Sequence, residues 1–146
     1  MILIDANLLL YAYHPRAAQH AKSRAWLQQV LSGPDLVRFA WLTLWAFLRI
    51  ATTPRVFDRP LSTSEAAAAI SSWLGQPAAG IVEPGERHWD ILRELVRDAQ
   101  STGPLVMDAV LAAIAVEHGA TVYTADRDFS RFSGVRWTNP LSTGGN

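Results

Sequence analysis

Three aliphatic residues, Ile2-Leu3-Ile4, run straight into a carboxylate, Asp5, and Leu8-Leu9-Leu10-Tyr11 follow at once. A short continuous apolar run fits a strand buried on both faces, as in the middle of a parallel sheet. Such a strand delivers the next residue to the carboxyl edge of the sheet, where open α/β folds bind their ligands. Asp5 stands at that place. A carboxylate between apolar runs is costly unless it is hydrogen-bonded, paired or bound to a cation. The simplest reading makes it the N-cap of a following helix. Whether it is more depends on other acids falling at equivalent positions.

The rest of the chain alternates strands with helices. Pro15 and Arg16 are read as opening a long helical stretch in which Trp26 and Val30, and Leu27 and Leu31, have helical spacing. Ser32-Gly33-Pro34 stops it. Residues 36–40 read as a second strand and 41–51 as a helix apolar enough to be buried on most sides, with Leu42, Trp45, Ala46 and Arg49 on one face. Ser62 and Glu65 match a capping box that starts an alanine-rich helix running to about residue 74. A short strand at 80–83, an amphipathic helix at 86–100 and a break at Ser101-Thr102-Gly103-Pro104 come next. A helix over 107–118 then ends at Gly119, and strands at 120–124 and 135–137 complete the pattern. The connections are too long for hairpins, which predicts a parallel sheet with helices on both faces. One domain over 1–140 with a loose Ser/Gly tail at 141–146 is expected.

Composition narrows the class of protein. Nearly half the residues are hydrophobic, enough for a real core. There are no cysteines, hence no disulfide and no thiolate metal site, which suits the cytoplasm. No basic region precedes the first apolar run, and the longest uncharged apolar stretch, 39–48, is too short to span a bilayer. Thirteen Lys and Arg balance thirteen Asp and Glu, so net charge lends no support to nucleic-acid binding.

Three acidic sites fall where this topology would bring them together. Asp5 ends the first strand, Asp108 lies in the first turn of the helix before the fourth strand, and Asp126 and Asp128 directly follow that strand. Each has a simpler reading as a cap or first-turn acid. Together at strand-edge positions, they make isolated capping a poor joint explanation. Clustered carboxylates raise one another's pKa unless a cation neutralises them. Mg²⁺ or Mn²⁺ suits such oxygen donors, and a site of this kind suits phosphodiester hydrolysis. The four histidines are scattered without metal-ligand spacing.

These residues resemble a known family. Ile2-Leu3-Ile4-Asp5-Ala6-Asn7, Met107-Asp108-Ala109 and Thr124-Ala125-Asp126-Arg127-Asp128-Phe129 resemble the PIN-domain ribonucleases. More narrowly, the chain resembles the VapC toxins of type II toxin–antitoxin modules, in a subgroup abundant in mycobacteria. Phe47-Leu48-Arg49 through Pro54-Arg55-Val56-Phe57, and Trp137-Thr138-Asn139-Pro140-Leu141, carry that narrower likeness. The resemblance implies a sheet of order 3-2-1-4-5 and endonucleolytic RNA cleavage with Mg²⁺ or Mn²⁺. It implies metal-site roles for Asp5, Asp108 and Asp126, with Asp128 as a further acid and Asn7 supporting Asp5. It also implies a homodimer held inactive by a VapB-type antitoxin.

One position departs from the family. Many members place a Glu just ahead of Phe-Leu-Arg, where this chain has Ala46, and the nearest following acid is Asp58. Ala46 admits three readings: Asp128 compensates, one metal suffices with substrate phosphates completing its shell, or the change quiets a toxic enzyme. A PIN-like module that binds RNA or a partner without cutting is the alternative function. A two-component receiver or a haloacid-dehalogenase-type phosphatase, by resemblance, would need a lysine that this chain, with only Lys22, does not place. Arg49, Arg55 and Arg59 could meet an RNA backbone, although a helix-dipole role and solvated loop charges explain them as well. Six tryptophans are read mostly as core, with some left for a covered apolar surface.

Overall fold

The structure, a computed structural model, describes residues 1–56 and 58–142. Phe57 and the part of the expected tail from 143 onward lie outside the described residues.

Ile2–Ile4 forms β1, the central strand, and all three residues are buried. Strand geometry sends alternate side chains to opposite faces. Ile2 and Ile4 therefore enter one core with Leu8, Leu27, Phe39 and Phe47, while Leu3 enters a second with Ala109, Ile114 and Val122. β1 pairs in parallel with β2 (Val37–Ala40) on one side and β4 (Thr121–Tyr123) on the other. With β3 (Ala79–Val82) beyond β2 and β5 (Trp137–Thr138) beyond β4, the order is β3-β2-β1-β4-β5, all parallel, as expected.

Helices α1 (Ala6–Tyr13), α2 (His20–Leu31), α3 (Trp41–Ala51) and α4 (Thr63–Leu74) fill the first core. There Trp73 meets Phe47 edge-on at 4.8 Å and Tyr13 at 5.6 Å, and stacks on Phe39. Helices α5 (His88–Asp98) and α6 (Leu105–His118) cover the opposite face. The chain is a three-layer α/β/α sandwich. The capping box forms: Glu65 N–H donates to Ser62 Oγ at 3.0 Å and Ser62 N–H to Glu65 Oε1 at 2.9 Å. Gly119 ends α6 in the left-handed region at φ 69°, a conformation that favours glycine.

Several expectations need correction. Pro15 and Arg16 do not open a helix; they lie in the turn between α1 and α2. Helix starts at once after Asp5, as its N-cap reading implied, and Leu8, Leu9 and Ala12 form the buried face of α1. β5 begins at Trp137, two residues later than read. The tryptophans are not mostly core. Trp73 is buried and Trp26 and Trp137 half-buried, but Trp41, Trp45 and Trp89 are exposed. Leu141, placed in the tail, packs against the first core.

Candidate metal centre

β1 and β4 are neighbours, so their carboxyl ends lie side by side, and Asp5 N–H donates to Tyr123 O at 3.0 Å. The residues just past the two strands lock them together. Thr124, fully buried, donates its hydroxyl to Asp5 Oδ2 at 2.8 Å. The Thr124 hydroxyl oxygen in turn accepts from Asn7 Nδ2 at 3.0 Å and from Asp126 N–H at 2.9 Å. Asn7 also donates to Asp5 Oδ2 at 3.1 Å, while its own Oδ1 accepts from Ala125 N–H. Asn7 thus supports Asp5 as the resemblance implied. Thr124 escaped the sequence reading; its only signal was a hydroxyl residue ending an apolar strand two places before an acid.

The capping readings prove true as far as they go. Asp5 N-caps α1, with Oδ1 accepting from Ala6 N–H at 2.7 Å. Asp126 caps the short 3-10 helix Arg127–Arg131, with Oδ1 accepting from Asp128 N–H at 2.8 Å. These bonds aim the carboxylates without using them up. A carboxylate has about four lone-pair sites, and Asp5 fills three, leaving one on Oδ1. Asp126 Oδ2 has no partner among the described residues.

Asp108 is different. It stands in the first turn of α6 and, among the described residues, has no hydrogen-bond or ion-pair partner. Carboxylate oxygens of Asp108, Asp126 and Asp128 lie within 4.8 Å of one another. Burial, and then the charges of Asp5, Asp126 and Asp128, push the Asp108 carboxyl up to about 7. Burial raises Asp5 as well, against the lowering effect of its hydrogen bonds from Thr124, Ala6 and Asn7. Among the described residues the cluster's ion pair is that of Arg131 with the exposed Asp128, at 3.8 Å. All four predicted acids therefore meet at one edge, with 108, 126 and 128 in mutual reach and Asp5 behind them, close enough to act on Asp108.

The donor set fits a hard divalent cation. Oxygens on one Mg²⁺ at ~2.1 Å lie at most ~4.2 Å apart, so small side-chain rotations bring these three into range. Asp58 does not replace the carboxylate absent at Ala46. It pairs with Arg16 at 3.1 Å, past the C-terminal end of α1, whereas Asp5 caps the other end. An eight-residue helix is about 12 Å long.

Residues 2–135 match the family described as PIN domain. The chain belongs to that family. Its VapC branch is shown by a ribonuclease, VapC37 of Mycobacterium tuberculosis, 46% identical over 140 residues, which cover 96% of this chain and 97% of the relative. In fold, this PIN domain is similar to VapBC2 of Rickettsia felis, solved bound to a promoter DNA fragment, with a TM-score of 0.69 at 14% identity over 95% of this chain and 98% of that one. It is also similar to VapC20 of Mycobacterium tuberculosis, a toxin that cleaves the sarcin–ricin loop. There the TM-score is 0.65 and the identity 22%, over 93% of this chain and 99% of that one. No helix among the described residues is long and apolar enough to cross a membrane.

Proposed function

We propose that this chain is the toxin of a type II toxin–antitoxin module, an endoribonuclease that hydrolyses phosphodiester bonds in tRNA or ribosomal RNA and so stops translation. The family likeness gives Asp5, Asp108 and Asp126 the hold on Mg²⁺, or Mn²⁺, and Asp128, with an oxygen within 4.8 Å of those of Asp108 and Asp126, joins the set. The observation that carries this is Asp108, an unpartnered carboxylate raised to about 7 among three other acids. A structural carboxylate at a helix start would have found a donor or a cation of the protein's own. A divalent ion bound there supplies Lewis-acid stabilisation of the attacked phosphate and a water of lowered pKa. The chain's own part is positional: Thr124 and Asn7 fix Asp5, and Asp126 is aimed by its bonds to Thr124 and Asp128. Water attacks phosphorus, one P–O bond breaks, and the leaving oxygen gains a proton.

Partners follow from the same reading. The structural neighbour VapBC2, a toxin–antitoxin complex, supports a VapB-type antitoxin for this chain, and the pair is placed in the cytoplasm on the same reading. The exposed Trp41 and Trp45, one helical turn apart on α3, offer apolar surface for the antitoxin or for the second protomer of a homodimer.

Purified protein incubated with structured RNA should cut it in Mn²⁺ or Mg²⁺, stop on chelation, and lose cleavage in Asp5→Ala. Cleavage by neither the native chain nor Ala46→Glu would leave the non-cutting binding module in its place.

A further inference from the structure

Beside the acid cluster lies a cleft of about 760 Å³ lined by Lys22, Ala125, Arg127, Trp137, Asn139 and Leu141, among others. Ala125 and Arg127 bracket Asp126 in the chain, so the cleft opens within one residue of the proposed centre. Its size lies within the usual range for small-ligand sites, roughly 300–1,000 Å³. Its chemistry is distinctive. Lys22, the only lysine of the chain, comes from α2, and Arg127 from the first residue of the 3-10 helix. Both are exposed, and neither has an acidic partner among the described residues. Trp137 also lines the cleft, although its half-buried side chain packs against the second core.

Asn139 has a fixed sense. Leu141 N–H donates to its Oδ1 at 2.9 Å, so the oxygen is assigned by a neighbour that can only donate. The amide nitrogen is left without a partner among the described residues. An asparagine set in this way offers donors to whatever enters the cleft. Two cations for phosphate and an oriented amide for a base edge are groups by which proteins read single-stranded RNA.

We propose that this cleft is a nucleotide subsite: it takes the single-stranded nucleotide next to the bond that is cut, with Lys22 and Arg127 on the flanking phosphates and the Asn139 amide nitrogen donating to an acceptor on the base edge. The proposal rests on the reading of the chain as acting on RNA and adds where the strand lies and which group reads it. A donor at that edge favours guanine and uracil, whose O6 and O4 accept, over adenine and cytosine, whose amino groups donate there.

The test is anisotropy binding of labelled single-stranded oligoribonucleotides of defined sequence, in chelator so that nothing is cut, across a salt series. Each phosphate contact contributes about 0.7 to the slope of log K against log salt for single strands, so Lys22→Ala with Arg127→Ala should lower the slope by about 1.4. Arg93→Ala with Arg97→Ala on α5, an equal change of charge elsewhere, should leave it unchanged. Asn139→Asp keeps the bond from Leu141 N–H but replaces the donor by an acceptor. It should reverse the base preference by about fivefold in the ratio of affinities, the size of one hydrogen bond. A native slope in the Lys22 and Arg127 double variant, or an unchanged base ratio in Asn139→Asp, overturns the subsite. Mn²⁺-dependent cleavage by the native chain is scored separately. Cleavage with no effect of the cleft variants on binding sinks only the subsite, and specific binding without cleavage sinks only the nuclease.

Discussion

Asp108 sits in the first turn of α6 and Glu117 one residue before its end. The helix dipole favours an anion at the first place and disfavours it at the second, by about 0.3–1 kcal/mol. Their behaviour is the reverse. Asp108 is raised to about 7, and Glu117 is lowered. Glu117 accepts from Gly85 N–H at 2.8 Å and Arg87 N–H at 3.0 Å, and the nearby His118 and His88 favour its charge. Asp108 loses solvent, gains no donor and faces three acids. Local partners outweigh the dipole at both ends. What differs is purpose: one carboxylate ties the loop between β3 and α5 to α6, and the other is left without a partner, which the fold tolerates only where a cation or proton completes it.

The sharpest way to break this contrast is Asp108→Asn. If the unpartnered charge is the reason for the site, cleavage in saturating Mn²⁺ should fall by roughly two orders of magnitude or more. The metal-free protein should meanwhile melt at a higher temperature, because a repelled and partly desolvated charge is gone. A variant that loses activity and stability together would make Asp108 a structural acid like Glu117.

Thr124→Val probes the frame around the acids. It removes the donor to Asp5 and the acceptor for Asn7 and Asp126 N–H while preserving shape. Groups that orient a metal ligand typically contribute 10–100-fold in affinity or activity, and about that loss is expected in Mn²⁺ titration of cleavage. Leaving buried partners unsatisfied should also cost about 1–3 kcal/mol in denaturant unfolding. Unchanged Mn²⁺ affinity would mean that Asp5 needs no orientation.

The pH dependence of the metal-free protein sharpens the comparison further. Asp108 has a folded pKa of about 7 against an ordinary 3.8, so the unfolded chain gives up the proton first. Its contribution to stability is full below about 3.8 and is lost as pH rises through about 7. Asp5, also raised, acts in the same sense. The melting temperature of the native chain relative to Asp108→Asn should therefore fall across that window, and saturating Mn²⁺ should remove the fall. A flat difference between the two chains would show that Asp108 is not perturbed by its neighbours.

How far this could be read from the sequence depends on what each residue needs. β1, the capping box and Gly119 are local: an apolar run, a Ser/Glu pair three apart and a glycine past a helix end carry their own signals. The order of the sheet and the meeting of Asp5, Asp108 and Asp126 followed from strand ends and from the family likeness. The N-cap reading of Asp5 holds for α1, but the helix boundary at Pro15 and Arg16 does not, because α1 is only eight residues long and so short a run has few turns to show its period. Thr124 was missed because a hydroxyl at a strand end looks ordinary until its three partners, all from distant or irregular segments, are in place. The exposure of Trp41, Trp45 and Trp89 was hidden for a related reason: hydrophobicity predicts burial on average and says nothing about a surface kept for another molecule.

The smallest effect belongs to Glu117. A lowered carboxyl contributes stability that is present above its unfolded pKa of about 4.5 and lost as pH falls through the folded value, the opposite sign to Asp108. Glu117→Gln keeps one acceptor oxygen but sets an amide donor against the second backbone N–H. The acid side of the stability profile should flatten while the region near pH 7, and RNA cleavage, stay as they are. Gly85→Ala reaches the same bonds from the other partner, because a Cβ there would run into the Glu117 carboxylate. It should reproduce the Glu117→Gln profile, and the two changes together should do little more than either alone, since both release the same loop. If Glu117→Gln instead shifted the profile near pH 7, the two ends of α6 would be communicating, and the separation of an anchoring acid from an open one would fail.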